Sequence, residues 1–350
     1  MPKDIDLTSK RISFPDSLDE LEAINDFLLL RKMTDGLPVV PPTERRVRAF
    51  IEYARRRASE VIAVIPPANH PATAEKLAVN AVMAGCKPEY MPIVLAAVEA
   101  MTEPQFNLNA IQSTSAPAGP MLIINGPIRH EISLNCSSGL LGPGWRANAS
   151  IGRAIRLILM NLGGAVPGTV DLATQGWPGK YSLCAGELEE ENPWEPLHVE
   201  RGFRRDESTV TVLGVQGTNA IVEASPDAED VIKTIEHALV DTGCNNFHTG
   251  LGEPALLLCP THAQLLKRLF PTKNHLKKYL WEKVRAPVEW FSRRYKERPG
   301  FLERVVDGTV PMIPQWEDYM VLIGGGPGGF FSTFLPTFGD SLSVTRRIGR

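Results

Sequence analysis

The sequence predicts an α/β protein with mixed sheets, and three observations carry that prediction. Short apolar runs fit buried strands: Met121-Leu122-Ile123-Ile124, then Ala255–Leu258, then residues 319–323. Between them lie longer segments with apolar residues at helical spacing. Glycine and proline, 29 each, gather in discrete loops where backbone comes close to a ligand or another chain. A weak echo adds a fourth hint. In both halves a strand leads through a loop to a helix ending in Gly-Cys (Gly85-Cys86 and Gly243-Cys244), and each half later supplies an apolar strand. We read this as two related α/β lobes with glycine-rich loops around a cleft; coincidence is the alternative, because helices often end in glycine. The expected boundaries are a helix-rich N-terminus over 1–58, a first lobe over 59–170, an acidic loop-rich connector over 171–205, and a second lobe with basic helices over 206–350.

In chain order, residues 17–33 form an amphipathic helix, with Leu18, Leu21, Ile24, Phe27 and Leu28 at helical spacing and Ser17-Leu18-Asp19-Glu20 as a capping box. Leu37-Pro38-Val39-Val40-Pro41-Pro42 is an extended connector. A second helix covers 43–57, a strand 60–65, and a third helix 72–84 that stops at Gly85. The next helix starts at Pro88 or Pro92 and runs to about Thr102. A strand at Gly119–Asn125 precedes a glycine loop and a helix through Leu162. A strand at 208–215, a helix at 227–240 and a helical stretch over 262–304 complete the pattern.

The chain has 350 residues, enough for one large or two medium domains, and 43% hydrophobic with 22% charged residues is ordinary for a globular protein. A net charge of −3 does not call for nucleic acid or an acidic membrane. Five cysteines without paired spacing argue for reduced thiols in the cytoplasm. The opening Met-Pro-Lys-Asp-Ile-Asp is too charged for a signal peptide, and no apolar run approaches a membrane span. Charge is nonetheless uneven. Residues 262–304 carry twelve Lys/Arg against four Glu, while 171–230 carry thirteen acids against four bases. Such blocks pair within a chain or between subunits, and a homodimer is the expected assembly. Tyr279, Trp281, Trp290 and Phe291 interleave with the basic residues, but the overall acidity argues against nucleic acid.

Cys86 is the nucleophile or redox candidate. It precedes the amides of a following helix and adjoins Lys87, both of which favour thiolate; if that helix begins at Pro92, the amides lie a turn away. The helix before it is apolar except for Thr73, Lys76 and Asn80 on one side, which suggests a lined pocket. The alternative is a small buried hydrophobe.

Four blocks of wording here resemble a bacterial family, largely uncharacterised and associated with the UGSC-type (seleno)proteins. They are the LPVVPPT block from Leu37, AVMAGCKPEY from Ala81, GPGWRANASIGRA from Gly142, and GKYSLC with EEE and PW from Gly179 to Trp194. The chain departs from the family's name in having no Cys-Gly-Ser-Cys or other Cys-x-x-Cys, which counts against a dithiol role.

The loop before the long middle helix combines Gly144, Arg146 and Asn148, and loop amides with a guanidinium suit a carboxylate or phosphate. The alternative is a structural glycine loop with Trp145 as anchor. Arg153 and Arg156 read as solvated. Further on, Lys180, Tyr181, Cys184, Glu187, Glu189, Glu190, Glu191 and His198 crowd one loop-rich stretch. Pro-Gly-Lys-Tyr aims two proton-handling groups off one bend. The Glu187 to Glu191 run with His198 is also a candidate for a hard metal, though it matches no metal signature.

The expected function is a cysteine-dependent enzyme, a lyase, hydrolase or thiol oxidoreductase, acting on a small anionic organic substrate. Cys86, Lys180, Tyr181 and Glu187 carry the chemistry; Lys76, Asn80, Lys87, Gly144, Arg146 and Asn148 shape the site. No metal and no cofactor is expected, and the partner is the substrate rather than nucleic acid or membrane. A non-catalytic binding protein and a metalloenzyme are the alternatives. The three groups Cys86, Arg146 and Lys180-Tyr181 are expected to meet in one cleft.

Overall fold

Two four-stranded sheets lie at the centre of the computed structural model, which describes residues 7–11 and 20–349. The capping box at Ser17 falls outside the described residues. Helix α1 (Glu20–Leu30) leads through the extended connector, where Val40 N–H donates to Met83 O at 3.1 Å, into α2 (Glu44–Ala54). A hairpin of β1 (Val61–Ile65) and β2 (His70–Thr73) delivers the chain to α3 (Ala74–Met83), which Thr73 caps by accepting from Lys76 N–H. Both proline readings hold: Pro88 opens a single 3-10 turn to Tyr90, and α4 (Met91–Met101) follows with Pro92 in its first turn. Next come α5 (Leu108–Ser113), β3 (Gly119–Asn125), α6 (Ile128–Glu131), α7 (Arg146–Asn161), β4 (Cys184–Gly186) and α8 (Leu197–Glu200).

The later half holds β5 (Thr209–Val215), β6 (Asn219–Val222), α9 (Ala228–Leu239), α10 (Asn245–Thr249), β7 (Ala255–Leu258), α11 (Pro260–Leu269) and α12 (Lys273–Lys283). Helix gives out there: β8 (Arg285–Pro287) pairs with β9 (Thr309–Pro311), and between them α13 (Arg293–Lys296) is a single turn. Then β10 (Met320–Ile323), β11 (Phe331–Leu335) and β12 (Val344–Arg347) end the fold.

The first sheet runs β12-β5-β3-β4 and the second β6-β11-β7-β10. Reading each in that direction, the pairings are antiparallel, antiparallel, parallel in both. Each sheet also takes its first strand across from the other: β6 follows β5 by three residues yet joins the second sheet, and β12 returns to the first. The sheets therefore ignore a boundary near residue 205.

Strand alternation explains the layering. On the first sheet Leu122, Ile124, Val210 and Val212 face outward, in one apolar core with α3, α4 and α7. On the second, Leu256, Leu258, Val321 and Ile323 face outward with α9, α11 and α12. The remaining strand residues, Met121, Ile123, Leu213, Leu257 and Leu322 among them, form a third core between the sheets. The result is four layers, helix, sheet, sheet, helix. The space between the sheets, where a cleft was expected, is filled with side chains. The opposite charge blocks pair inside the chain where Glu200 takes Lys273 at 2.9 Å and also Lys277. Among the described residues no helix is long and apolar enough to cross a membrane.

Candidate functional site

Cys86 follows α3 with its thiol donating to Ser150 O on α7 at 3.2 Å. Burial pushes that thiol up to about 12, against weaker pulls from Ser150 and Arg146. This reverses the thiolate expectation. The 3-10 turn moves the α4 amides away, and Lys87 points into solvent, so desolvation decides. The polar seam on α3 is likewise accounted for locally. Lys76 Nζ donates to Pro71 O at 3.1 Å, Asn80 donates to Lys76 O at 2.9 Å, and Asn80 accepts from Asn161 at 2.7 Å.

Around the glycine loop, Gly144 is exposed at φ +109°, and Arg146 Nε donates to Gly85 O at 3.0 Å. Asn148 is buried and clamps Asn135, accepting from its N–H at 2.9 Å and donating to its carbonyl at 3.0 Å. Lys87 and Arg146 share a cavity of about 260 Å³ with Glu89 and Glu131.

Lys180 and Tyr181 belong elsewhere. They line a cavity of about 760 Å³ beneath α1 and α7, walled by Leu29, Met160 and Trp177. Cys86 and Arg146 do not line it, so the structure does not bring the three expected groups into one cleft. At its floor Asp171 is buried between two cations. Lys180 Nζ lies 2.8 Å from Oδ1 and 2.7 Å from Oδ2, and Arg156 reaches Oδ2 at 3.1 Å. Two cations share one carboxylate, which leaves the floor net positive. Burial lowers the Lys180 ammonium below its ordinary value, Arg156 adds to that, and Asp171 opposes it. Tyr181 stands half-exposed at the rim. Trp177 Nε1 is buried without a hydrogen-bond partner among the described residues. Gly179 lets that indole fold over the turn, since a Cβ there would meet the ring at 2.3 Å.

The two arginines read as solvated are both paired. Arg153 grips Asp35 with Nε and Nη2 at 2.8 Å each, and Arg156 takes Asp171. Asp171 itself had no signal, being one acid in a Pro- and Gly-rich loop.

Glu187 is not at the cavity. It is buried at the end of β4, accepting from Asn125 at 2.7 Å, Asn192 at 2.9 Å and Leu197 N–H at 2.8 Å. Burial raises its carboxyl and Glu189 adds to that, with Lys273, Leu197 N–H and Asn125 opposing. The other glutamates of the run do not converge with it as a ligand set. Glu189 takes Gly126 N–H at 2.7 Å and Arg129 at 3.1 Å, and Glu190 takes Arg129 at 2.9 Å. Among the described residues no group of three or more His, Cys, Asp or Glu is placed to hold a metal ion.

A second polar cluster went unread. Cys259 follows β7 directly and caps α11, with Pro260 in the first turn and His262 three residues on. His262 Nδ1 lies 2.7 Å from Ser332 Oγ on β11, and Nε2 lies 2.8 Å from Glu223 O. An apolar strand ending in Cys-Pro-x-His was the available signal.

Fold and cavity describe an α/β protein of four layers with a cavity of about 760 Å³, lined by Arg156, Lys180 and Asp171, on its first helical face. Compared with known proteins, the chain matches no family model, and no curated protein is significantly similar to it.

Proposed function

We propose that the chain is an enzyme binding a small anionic organic molecule in the 760 Å³ cavity, with Arg156 holding the anionic group and Lys180 transferring a proton. The observation that carries this is the floor of two cations on one buried carboxylate. The volume suits a small ligand, and the cavity sets apolar walls beside the Asp171 cluster, with Lys32 and the Arg153-paired Asp35 also in its lining. A guanidinium matches a carboxylate with two parallel donors. A lysine whose ammonium is destabilised loses its proton nearer neutrality, which fits it to act as a base. Asp171 then holds the Lys180 chain in place and receives it again as ammonium. Tyr181 at the rim is the second proton carrier.

The chemistry moves from the expected thiol to an amine, because Cys86 meets carbonyl and apolar groups rather than a cavity. Membership of the UGSC-associated family is also a proposal, resting on the four sequence blocks.

Thermal-shift screening against small carboxylates and phosphate esters tests the reading, followed by calorimetry on the best ligand. Arg156→Met is expected to weaken binding at least about tenfold. Lys180→Met is expected to retain binding within about tenfold while abolishing turnover. Binding without turnover, indifferent to Lys180, would make this a binding protein; no anion bound, or binding indifferent to Arg156, overturns the assignment of the pocket.

A further inference from the structure

We propose that Cys259, Ser332 and His262 form a separate nucleophilic site that takes small uncharged carbon electrophiles beneath the glycine loop over 324–329. The argument starts from His262, which is fully buried on α11. Its Nε2 faces the Glu223 carbonyl at 2.8 Å, and a carbonyl only accepts, so Nε2 carries the proton. That leaves a lone pair on Nδ1, aimed at the Ser332 hydroxyl at 2.7 Å. The hydroxyl therefore donates to the ring and turns its lone pairs toward Cys259. The Cys259 N–H reaches Ser332 Oγ at 3.2 Å, and the sulfur lies 3.9 Å from the same oxygen. A nucleophile, a relay, a base and a carbonyl that orients the base stand in one line.

The sulfur's surroundings agree. Burial raises the Cys259 thiol, but His262, through its ring, its backbone N–H and its charge, more than offsets this together with Ser332, and the thiol lies below its ordinary value. His262 is correspondingly raised by Cys259 and by the Glu223 carbonyl and carboxylate, against its burial. These are the titratable groups acting on the pair. The other four thiols go the opposite way: burial takes Cys86 and Cys244 up to about 12, and raises Cys136 and Cys184.

The class of ligand follows from what surrounds the sulfur. Cys259 is 3% exposed, and its thiol donates to Gly329 O at 3.3 Å under a loop in which Pro327 and Gly328 are exposed and Gly325 is partly buried. That cover admits small molecules, and the charged group acting on the sulfur is the mobile one, His262, rather than a fixed cation for an anion. The thiol turns its proton from Gly329 O to Ser332 Oγ, and that proton passes to Ser332 as the Ser332 proton passes to Nδ1, giving thiolate and imidazolium. With an activated alkene the thiolate forms the S–C bond, the π pair moves to the neighbouring carbon, and that carbon takes the proton back through Ser332.

The test is alkylation of the intact chain by N-ethylmaleimide and by iodoacetamide across pH, with peptide mass mapping of all five cysteines. Cys259 is expected to label at least about tenfold faster than the other four, with a rate midpoint below the free-thiol value of about 8.5. Ser332→Ala is expected to raise that midpoint or cut the neutral rate about tenfold, and Ser332→Thr, which keeps the hydroxyl, to restore it. Labelling of native Cys259 no faster than the others overturns the proposal, as does a profile that Ser332→Ala leaves unchanged. Neither result bears on the Arg156–Lys180 cavity, whose test is ligand binding.

Discussion

The ends of β3 and β7 make an instructive pair. Each strand sits between a parallel edge strand and an antiparallel neighbour. Each then runs into a proline turn with a basic residue two positions on: Asn125-Gly126-Pro127-Ile128-Arg129 and Leu258-Cys259-Pro260-Thr261-His262. At the first, two carboxylates arrive from the loop after β4. Glu189 takes Gly126 N–H and Arg129, and Glu190, whose partial burial would raise it, takes Arg129 and is thereby held down to about 2. Fixed charges neutralise one another there, and His130 adds a further partner to Glu190 at 3.0 Å. At the second, one hydroxyl arrives on β11, and Ser332 joins the Cys259 N–H to His262. No fixed charge quenches the pair, so a proton can move. The same backbone position becomes a structural clamp or a reactive cluster according to the partner that a distant segment brings.

Breaking the clamp carries the largest expected effect. Arg129 is 3% exposed, so Arg129→Met strands Glu189 in the interior and costs about 3–5 kcal/mol in denaturant unfolding. The deficit has a pH signature. Because Glu190 lies below its ordinary 4.5, its contribution is present above that value and is lost as pH falls toward about 2. Wild type and Arg129→Met should therefore converge in acid; a gap that widens there rules out the ion-pair account.

Substituting the paired positions sharpens the contrast. Gly126 has φ +84°, and a Cβ would lie 2.2 Å from Glu207 O and 2.7 Å from Ser208 Cα. Gly126→Ala is expected to cost about 2–4 kcal/mol, part from the left-handed backbone and part from backbone atoms that must shift. Cys259→Ala keeps an ordinary N-cap backbone and loses a sulfur and its hydrogen bond to Gly329 O, about 1 kcal/mol, while abolishing fast alkylation. Equal costs at the two positions would show that the strand ends are not structurally distinct in this way.

The smallest effect belongs to Cys86. Cys86→Ala removes one buried sulfur and a thiol hydrogen bond, so about 1 kcal/mol is expected in thermal or denaturant unfolding. Ligand affinity at the cavity and labelling of Cys259 should be unchanged. Loss of either would return Cys86 to the chemistry.

Much of the fold was legible. Strand Gly119–Asn125 follows from its apolar run, and α7 ends at Asn161 beside Gly163-Gly164, because strand and helix periods and glycine stops act over a few residues. The helix over 262–304 failed past Lys283, where Arg285–Pro287 pairs with Thr309–Pro311, a partner more than twenty residues away that no local period announces. Lys180 and Tyr181 stood out in the sequence because a Pro-Gly turn is a local device. Their partner Asp171 did not, since nothing near it in sequence distinguishes it from other loop acids.

What the amino-acid sequence determined by itself, then, is element type, approximate ends, and which residues carry chemistry at all. The tertiary structure decided which groups surround each of them. Cys86 and Cys259 each stand just ahead of a helical turn with a proline in it, and by spacing alone Cys86 with Lys87 was the better candidate. Long-range packing placed Ser150 O against one sulfur, and Gly329 O, Ser332 and His262 around the other. Ionisation depends on desolvation and on groups within a few ångströms, and those are set by strand order and register across the sheets, beyond the reach of local spacing.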